Sequence, residues 1–405
     1  MENGRLPWPR RKIPTIKGKR PSAIDTRLST VELFCGVGGF RIAAERCGLK
    51  TLWANDWFPK ACKVYEDRFG SAELVQGDFR ELLASVPAHD ILSAGFPCQP
   101  FSSAGKKAGL RDPRGTLFEE IAQVVGQRRP AFFILENVKR LLSMEHGAHF
   151  ATILKTLTDL GYFVEWRLLN AMHFGLPQNR QRVFIVGIRD VEPSELPAHL
   201  ASIRDLNLLS DRELNVLEDQ WIPVEHHGSA FPFWGVARDG HFAGGNPQDF
   251  SAKQQLVSLK TVLESDVSSR FDFTDATEKR LTESTPINSF VQGVQILWSQ
   301  NGGARMGYTV FGADGLAPTL TSTTSRHYER YLINGRYRRL TNVEYARIQG
   351  FPDEHCRAVS VYDQYALIGN AVPPSMAEWV FRQLLERKTA TLSASRDLQM
   401  ALLTG

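Results

Sequence analysis

The chain has 405 residues, 42% of them apolar, and a net charge of +4, the makeup of an ordinary globular protein with room for one large or two medium domains. So small a basic excess permits a polyanionic partner without requiring one. No apolar run approaches the roughly 20 residues that a membrane helix needs. The five cysteines (Cys35, Cys47, Cys62, Cys98, Cys356) form no CxxC pair, which argues against zinc and for reduced thiols in the cytosol.

Residues 1–28 mix Arg10, Arg11, Lys12, Lys17, Lys19 and Arg20 with four prolines and contain no apolar signal-peptide core. They read as a flexible basic arm, an ordinary solvated terminus with occasional phosphate contacts as the alternative. From Ser29 short apolar runs alternate with amphipathic stretches. Strands are predicted at Thr30–Phe34, Thr51–Asn55, Leu74–Gln76, Asp90–Ala94, Ala131–Leu135, Phe163–Leu169 and Val183–Ile188. Helices are predicted at Phe40–Cys47, Lys60–Phe69, Leu117–Gly126 and Ala148–Leu160. This rhythm predicts an α/β domain over 29–190, a parallel sheet with helices on both faces and ligands beyond the carboxyl ends of the strands. Proline- and glycine-rich irregular sequence follows, read as a smaller second domain over 191–357. Helical patterns at Thr341–Gln349 and Pro374–Glu386 lead to C-terminal helices over 358–389 that return to the first domain, and 390–405 is a tail.

Chemistry concentrates at the predicted strand ends. The first strand runs into Phe34-Cys35-Gly36-Val37-Gly38-Gly39, a turn that brings backbone N–H groups close to a ligand, although steric need alone also makes such turns glycine-rich. Asp56 ends the second strand, placed to accept from ribose hydroxyls, with Trp57 beside it to stack on a purine; Asp78 ends the third, placed to accept from an exocyclic amine. Each carboxylate alone is more often a cap or turn residue. Together the three ends favour a nucleoside cofactor. The fourth strand leads into Gly95-Phe96-Pro97-Cys98-Gln99-Pro100-Phe101-Ser102, a thiol in a proline-stiffened loop near Lys106 and Lys107. A free cysteine is commonly buried and inert, but this setting suits a nucleophile. Glu136 follows at the next strand end, where burial would raise its pKa and let it act as an acid. Gln178-Asn179-Arg180-Gln181-Arg182 then places two arginines at i, i+2, on one face.

With these residues the chain resembles the DNA cytosine-5 methyltransferase family. The resemblance covers about 30–188 and 338–385. It rests on the glycine turn, Asp56-Trp57, the proline-cysteine loop, Arg114-Gly115-Thr116-Leu117-Phe118 and Glu136-Asn137-Val138, then Gln178-x-Arg180-x-Arg182, Arg339-Leu340-Thr341 with Glu344 and Arg347, Gln349-Gly350-Phe351-Pro352-Asp353 and Gly369-Asn370-Ala371-Val372. Glu32 stands where aspartate is usual and Ala371 where serine is usual. The resemblance implies a Rossmann-like, S-adenosyl-L-methionine-dependent methyltransferase domain with an irregular, mostly β target-recognition domain.

The family pattern implies that Cys98 adds to carbon 6 of a flipped cytosine, that Glu136 acts at N3 and the exocyclic amine, and that Arg182, with Arg180 beside it, stabilises charge at the ring oxygen. It assigns Phe34, Gly36, Gly38 and Gly39 to the methionine end of the cofactor, Asp56 to the ribose, Trp57, Asp78 and Phe79 to the adenine, and Leu117, Asn370 and Val372 to the rest of that pocket. Gln99 and Ser102 in the thiol loop are DNA contacts by the same reasoning. Thr319, in Pro318-Thr319-Leu320, is expected near the phosphate flanking the flipped base, and Arg326 on guanine edges or phosphates, a solvated strand edge being the plain alternative. The implied partner is double-stranded DNA, methylated by a monomeric, cytoplasmic, nucleoid-associated bacterial enzyme with a cognate restriction endonuclease encoded nearby. A tRNA methyltransferase and an inactive DNA-binding regulator are the alternatives; the first lacks its Cys-Phe-Thr motif here, and the second would have lost Cys98, Glu136 or Arg182.

Overall fold

A computed structural model describes residues 28–97, 117–189, 221–246, 256–282, 285–299, 309–322 and 329–386. The cysteine loop from Cys98 to Thr116, which carries Gln99 and Ser102, lies outside the described residues, as do Arg326 and the basic arm up to Arg27.

The larger sheet has ten strands in the order β3-β2-β1-β4-β5-β7-β6-β9-β10-β8. These are β1 (Ser29–Leu33), β2 (Lys50–Asp56), β3 (Leu74–Gln76), β4 (Ile91–Gly95), β5 (Phe132–Val138), β6 (Tyr162–Asn170), β7 (Gln181–Arg189), β8 (Ile222–Pro223), β9 (Trp234–Arg238) and β10 (His241–Gly245). Strands β3 to β5 pair in parallel, as the βα rhythm predicts. The wholly parallel sheet does not hold beyond them: β7 inserts antiparallel between β5 and β6. Strands β8 to β10, from the segment read as a second domain, extend the same sheet.

Alternate residues of β5 face opposite cores. Phe132 and Ile134 pack with Phe40, Ala43 and Ala44 of the helix Gly39–Arg46 and with Met376, Val380 and Phe381 of the helix 374–386. Phe133 and Leu135 pack with Ile121, Val124 and Val125 of the helix Leu117–Arg128 and Ile153, Leu154 and Leu157 of the helix Ala148–Asp159. A β5 buried on both faces explains its unbroken apolar run.

The smaller sheet is β11 (Thr285–Val291), β12 (Val294–Ser299), β13 (Thr309–Phe311), β14 (Arg330–Ile333) and β15 (Arg336–Arg338), in that order. Its core continues into the helices Asn342–Gln349 and Val361–Asn370 and reaches Val37, Ala61 and Val64 of the larger unit. Thr341 and Glu344 form a capping box that starts the first of these helices. Glu344, fully buried, also takes both guanidinium nitrogens of Arg338 at 2.8 Å. Among the described residues no helix is long and apolar enough to cross a membrane.

Candidate active site

At the end of β1 the chain turns through Phe34 (φ 53), Gly36 (φ 54) and Gly38 (φ 82). A left-handed phenylalanine is strained, and neighbours hold it there. Cys35 donates its N–H to the Asn55 carbonyl at 2.8 Å, and Gly36 donates to Asp56 Oδ2 at 2.8 Å. A Cβ on Gly39 would strike the carbonyl oxygen of Val372, so glycine is required where the C-terminal segment crosses the turn. A Cβ on Gly36 would meet nothing within 4 Å, which leaves an open concavity above the strand ends.

Asp56 is buried, and its second oxygen accepts from Phe58 N at 2.8 Å. Burial raises its pKa, with the Phe58 and Gly36 N–H groups pulling back. The Trp57 N–H adds a smaller pull, which still leaves the carboxylate lone-pair capacity for a hydroxyl. Trp57 beside it is 69% exposed. Phe34 and Phe79 meet edge to face at 5.5 Å. Asp78 caps the helical turn Phe79–Leu82 by accepting from Arg80 N, and the Arg80 guanidinium holds both its oxygens. That pair lowers its pKa. Leu117 and Val372 are half-buried and Asn370 is exposed. A glycine concavity, a carboxylate with free lone pairs, an exposed indole and an aromatic pair suit the amino-acid, ribose and adenine parts of S-adenosyl-L-methionine.

Glu32 lies in the strand below the turn, fully buried, with Tyr65 Oη 3.4 Å from its carboxylate. Burial pushes its pKa up to about 8, against an opposing pull from Arg41. A carboxyl raised in this way favours the fold below its unfolded pKa, and that contribution is lost as pH rises from about 4.5 through about 8. Glu32→Gln is therefore expected to flatten the loss of stability between pH 5 and 8, by at most about 1.4 kcal/mol per pH unit. Urea midpoints of both proteins across that range check it; parallel curves would mean that Glu32 titrates normally.

The second half of the site lies two strands from β1. Glu136 on β5 pairs with Gly95 on β4, and a Cβ on Gly95 would sit 3.6 Å from Glu136 Oε2 and 3.2 Å from Val372 Cγ2. The glycine concavity and the Glu136 carboxylate thus share a wall. Arg182 pairs with Val138, two residues beyond Glu136, which places both side chains on one face. Arg182 Nε lies 3.0 Å from Glu136 Oε1. Glu136 is buried, and its pKa stays raised because desolvation outweighs the pull of Arg182 and Arg180. Asn137 donates its amide to the Phe96 carbonyl at 2.9 Å, fastening the strand end that leads into Cys98.

Arg180 departs from the expectation that it works on substrate beside Arg182. It is 1% exposed, and its guanidinium donates to the carbonyls of Leu320, Gly369 and Ala371 at 2.8, 3.0 and 3.1 Å. Thr319, expected at a phosphate, donates its hydroxyl to the Asn179 carbonyl at 2.7 Å. Sequence reasoning quoted Gln178 and Gln349 in motifs but gave no role to these buried amides, joined at 2.8 Å, and did not single out His355, whose Nε2 lies 2.6 Å from the Val37 carbonyl. Burial drives His355 down to about 4, so it is neutral and Nε2 carries the proton that this bond uses.

Cys35, Cys47, Cys62 and Cys356 are all buried, and burial raises every one of their thiols: Cys47 to about 11, Cys62 and Cys356 to about 12, and Cys35 well above the ordinary thiol range. None is poised as a thiolate nucleophile. Cys98, two positions after the Phe96 that Asn137 fastens, lies outside the described residues.

The family model of the C-5 cytosine-specific DNA methylases matches residues 28–386. Type II methyltransferase M.NgoBI of Neisseria gonorrhoeae is 31% identical over 350 residues, 86% of this chain and 90% of that protein. Type II methyltransferase M.HhaI of Haemophilus parahaemolyticus is 30% identical over 362 residues, 88% and 93% of the two chains. Among solved structures, S. pombe Dnmt2 methyltransferase superposes with a TM-score of 0.58 at 16% identity, covering 89% of this chain and 98% of its own, a likeness of fold. The chain belongs to the C-5 cytosine-specific DNA methylase family.

Proposed function

We propose that this protein methylates carbon 5 of a flipped cytosine within a specific duplex DNA sequence, as the modification enzyme of a type II restriction–modification system. The observation that carries the reading is the Glu136–Arg182 pair, buried beside Gly95 and sharing that wall with the glycine concavity. Carbon 5 of cytosine is a weak nucleophile. Addition of the Cys98 thiolate to carbon 6 places an electron pair on the ring. Protonation at N3 by Glu136 neutralises it and leaves carbon 5 enamine-like and electron-rich. Arg182 faces the ring oxygen and offsets charge that develops there. S-adenosyl-L-methionine, when bound, supplies the methyl group; Asp56 would take its ribose, Trp57 and Phe79 its adenine, and Asp78 the exocyclic amine. A base then removes the carbon 5 proton, the ring electrons expel the sulfur as thiolate, the N3 proton returns to Glu136, and the double bond between carbons 5 and 6 is restored. Arg180 and Thr319 act by positioning, through the main chain that they fasten. Gln99, Ser102 and Arg326 are assigned to DNA, and the protein acts as a monomer.

Bisulfite sequencing of plasmid DNA from cells expressing the protein tests this, with purified duplex and tRNA as parallel substrates in vitro. Protection of one cytosine within a single short motif is expected. Methyl transfer to tRNA alone, or to no nucleic acid, would overturn the reading.

A further inference from the structure

The hairpin of β11 and β12 turns at Gln292-Gly293, with φ of 48° and 81°. Two successive positive φ values make a tight hairpin turn, but glutamine is a poor choice for the first of them, where glycine, asparagine or aspartate avoids strain. The strained residue has a contact that accounts for it. Asn179 Nδ2 lies 3.1 Å from Gln292 Oε1 and 3.4 Å from the Gln292 carbonyl, so one amide grips both the side chain and the backbone of the tip.

Asn179 is itself fixed on its other groups. Its Oδ1 accepts from Asn170 Nδ2 at 2.8 Å, its N–H donates to the Ala317 carbonyl at 2.9 Å, and its carbonyl accepts from Thr319 at 2.7 Å. It stands three residues before Arg182, next to Arg180, at the mouth of β7. The hairpin tip belongs to the smaller sheet and bears exposed apolar side chains: Phe290 is 60% exposed and Val291 52%. The backbone at Leu316 and Ala317 bonds the Gly293 carbonyl on one side and Pro177 and Asn179 on the other, and the Asn179 side chain adds a direct link from the tip of the smaller sheet to the strand that carries Arg182.

We propose that Asn179 and Gln292 form a latch that sets the register of the recognition hairpin against the target-base site, which makes Asn179 a positioning residue for sequence fidelity. This rests on the cytosine methylation proposed above. A hairpin fixed to the base site lets DNA docked in the correct register present its cytosine between Glu136 and Arg182. Without the amide the tip is held through the Leu316–Ala317 backbone, and it tolerates other registers and other sequences. Placement errors of about 1 Å cost roughly 10²-fold in rate, so a register device has ample leverage.

Asn179→Asp keeps the acceptor towards Asn170 and loses the donor towards Gln292. Gln292→Gly removes the side-chain half of the contact and keeps the longer one to the carbonyl at 3.4 Å, and the positive φ favours glycine. In bisulfite sequencing of one substrate pool, each variant is expected to lower the ratio of methylation at the cognate motif to that at single-mismatch motifs by about tenfold, the worth of one hydrogen bond. The KM for S-adenosyl-L-methionine should stay at the wild-type value, and the double variant should lose no more fidelity than Asn179→Asp alone. Unchanged ratios in both variants would overturn the proposal, as would additive losses or a proportional fall at every site with a lowered melting temperature. Wild-type protein that methylates no DNA motif would instead sink the underlying functional reading.

Discussion

Cys98→Ser is expected to abolish a denaturant-resistant complex that the unaltered protein forms with duplex DNA carrying 5-fluorocytosine at the target position. On the proposed path sulfur leaves carbon 6 only after carbon 5 loses its proton. Fluorine cannot depart as a cation, so the reaction halts after methyl transfer with enzyme and DNA joined. Trapping should require S-adenosyl-L-methionine and the intact thiol, because a serine hydroxyl is a far weaker nucleophile at neutral pH. Glu136→Gln should slow trapping by about 10² to 10⁴, since an amide cannot give N3 a proton. Arg182→Ala should slow it by about 10² to 10³ through lost stabilisation at the ring oxygen.

The measurement is a denaturing gel followed by peptide mapping of the adduct. The other four thiols are buried and raised in pKa, so an adduct on any of them would overturn the mechanism. Product formed on fluorinated DNA without trapping would do the same. The pH dependence carries a further sign. Burial keeps the Glu136 carboxyl protonated to higher pH than an exposed one, so its acid form is lost, and trapping slows, only on the alkaline side of that raised pKa.

The catalytic half of the fold was legible because its elements are local. Predicted Leu74–Gln76 coincides with β3, and the other predicted strand limits fall within three residues of those observed. The antiparallel insertion of β7 was not legible, because a strand buried on both faces reads as the same apolar run in either direction. The joining of β8 to β10 to the large sheet depends on Gly235, where a Cβ would strike the ring of Trp166 on β6. That close approach exists only in three dimensions. Motif residues named the candidate site. Sequence could not say which of two arginines two residues apart pairs with Glu136, since Arg180 is defined by carbonyls up to 191 positions away. Nor could it show that Gln178 meets Gln349, 171 residues on.

That division of labour leads to the largest expected effect on stability. Arg180→Ala is expected to destabilise the protein by about 3–5 kcal/mol, while Arg182→Ala costs turnover and much less stability. Removing Arg180 strips the guanidinium bonds from the carbonyls of Leu320 and Gly369 in a buried site; Ala371 keeps a longer bond from Gln349 Nε2 at 3.3 Å. An acceptor buried without a donor loses its water and gains nothing in return. The side chain also leaves a cavity at the point where the chain at 320, the end of the helix Val361–Asn370 and the mouth of β7 converge. Arg182 differs because its main partner can adapt: deprived of the guanidinium, Glu136 takes up a proton rather than remain a lone buried anion. Arg180→Lys should recover part of the loss, since an ammonium keeps charge and donors but not the planar fork that spans three carbonyls. Chemical denaturation of the three variants, alongside methyl-transfer rates at a temperature where each is folded, separates the roles. An Arg180→Ala protein as stable as wild type would show that the three carbonyl bonds contribute nothing to the fold, and would return Arg180 to the substrate side of the site.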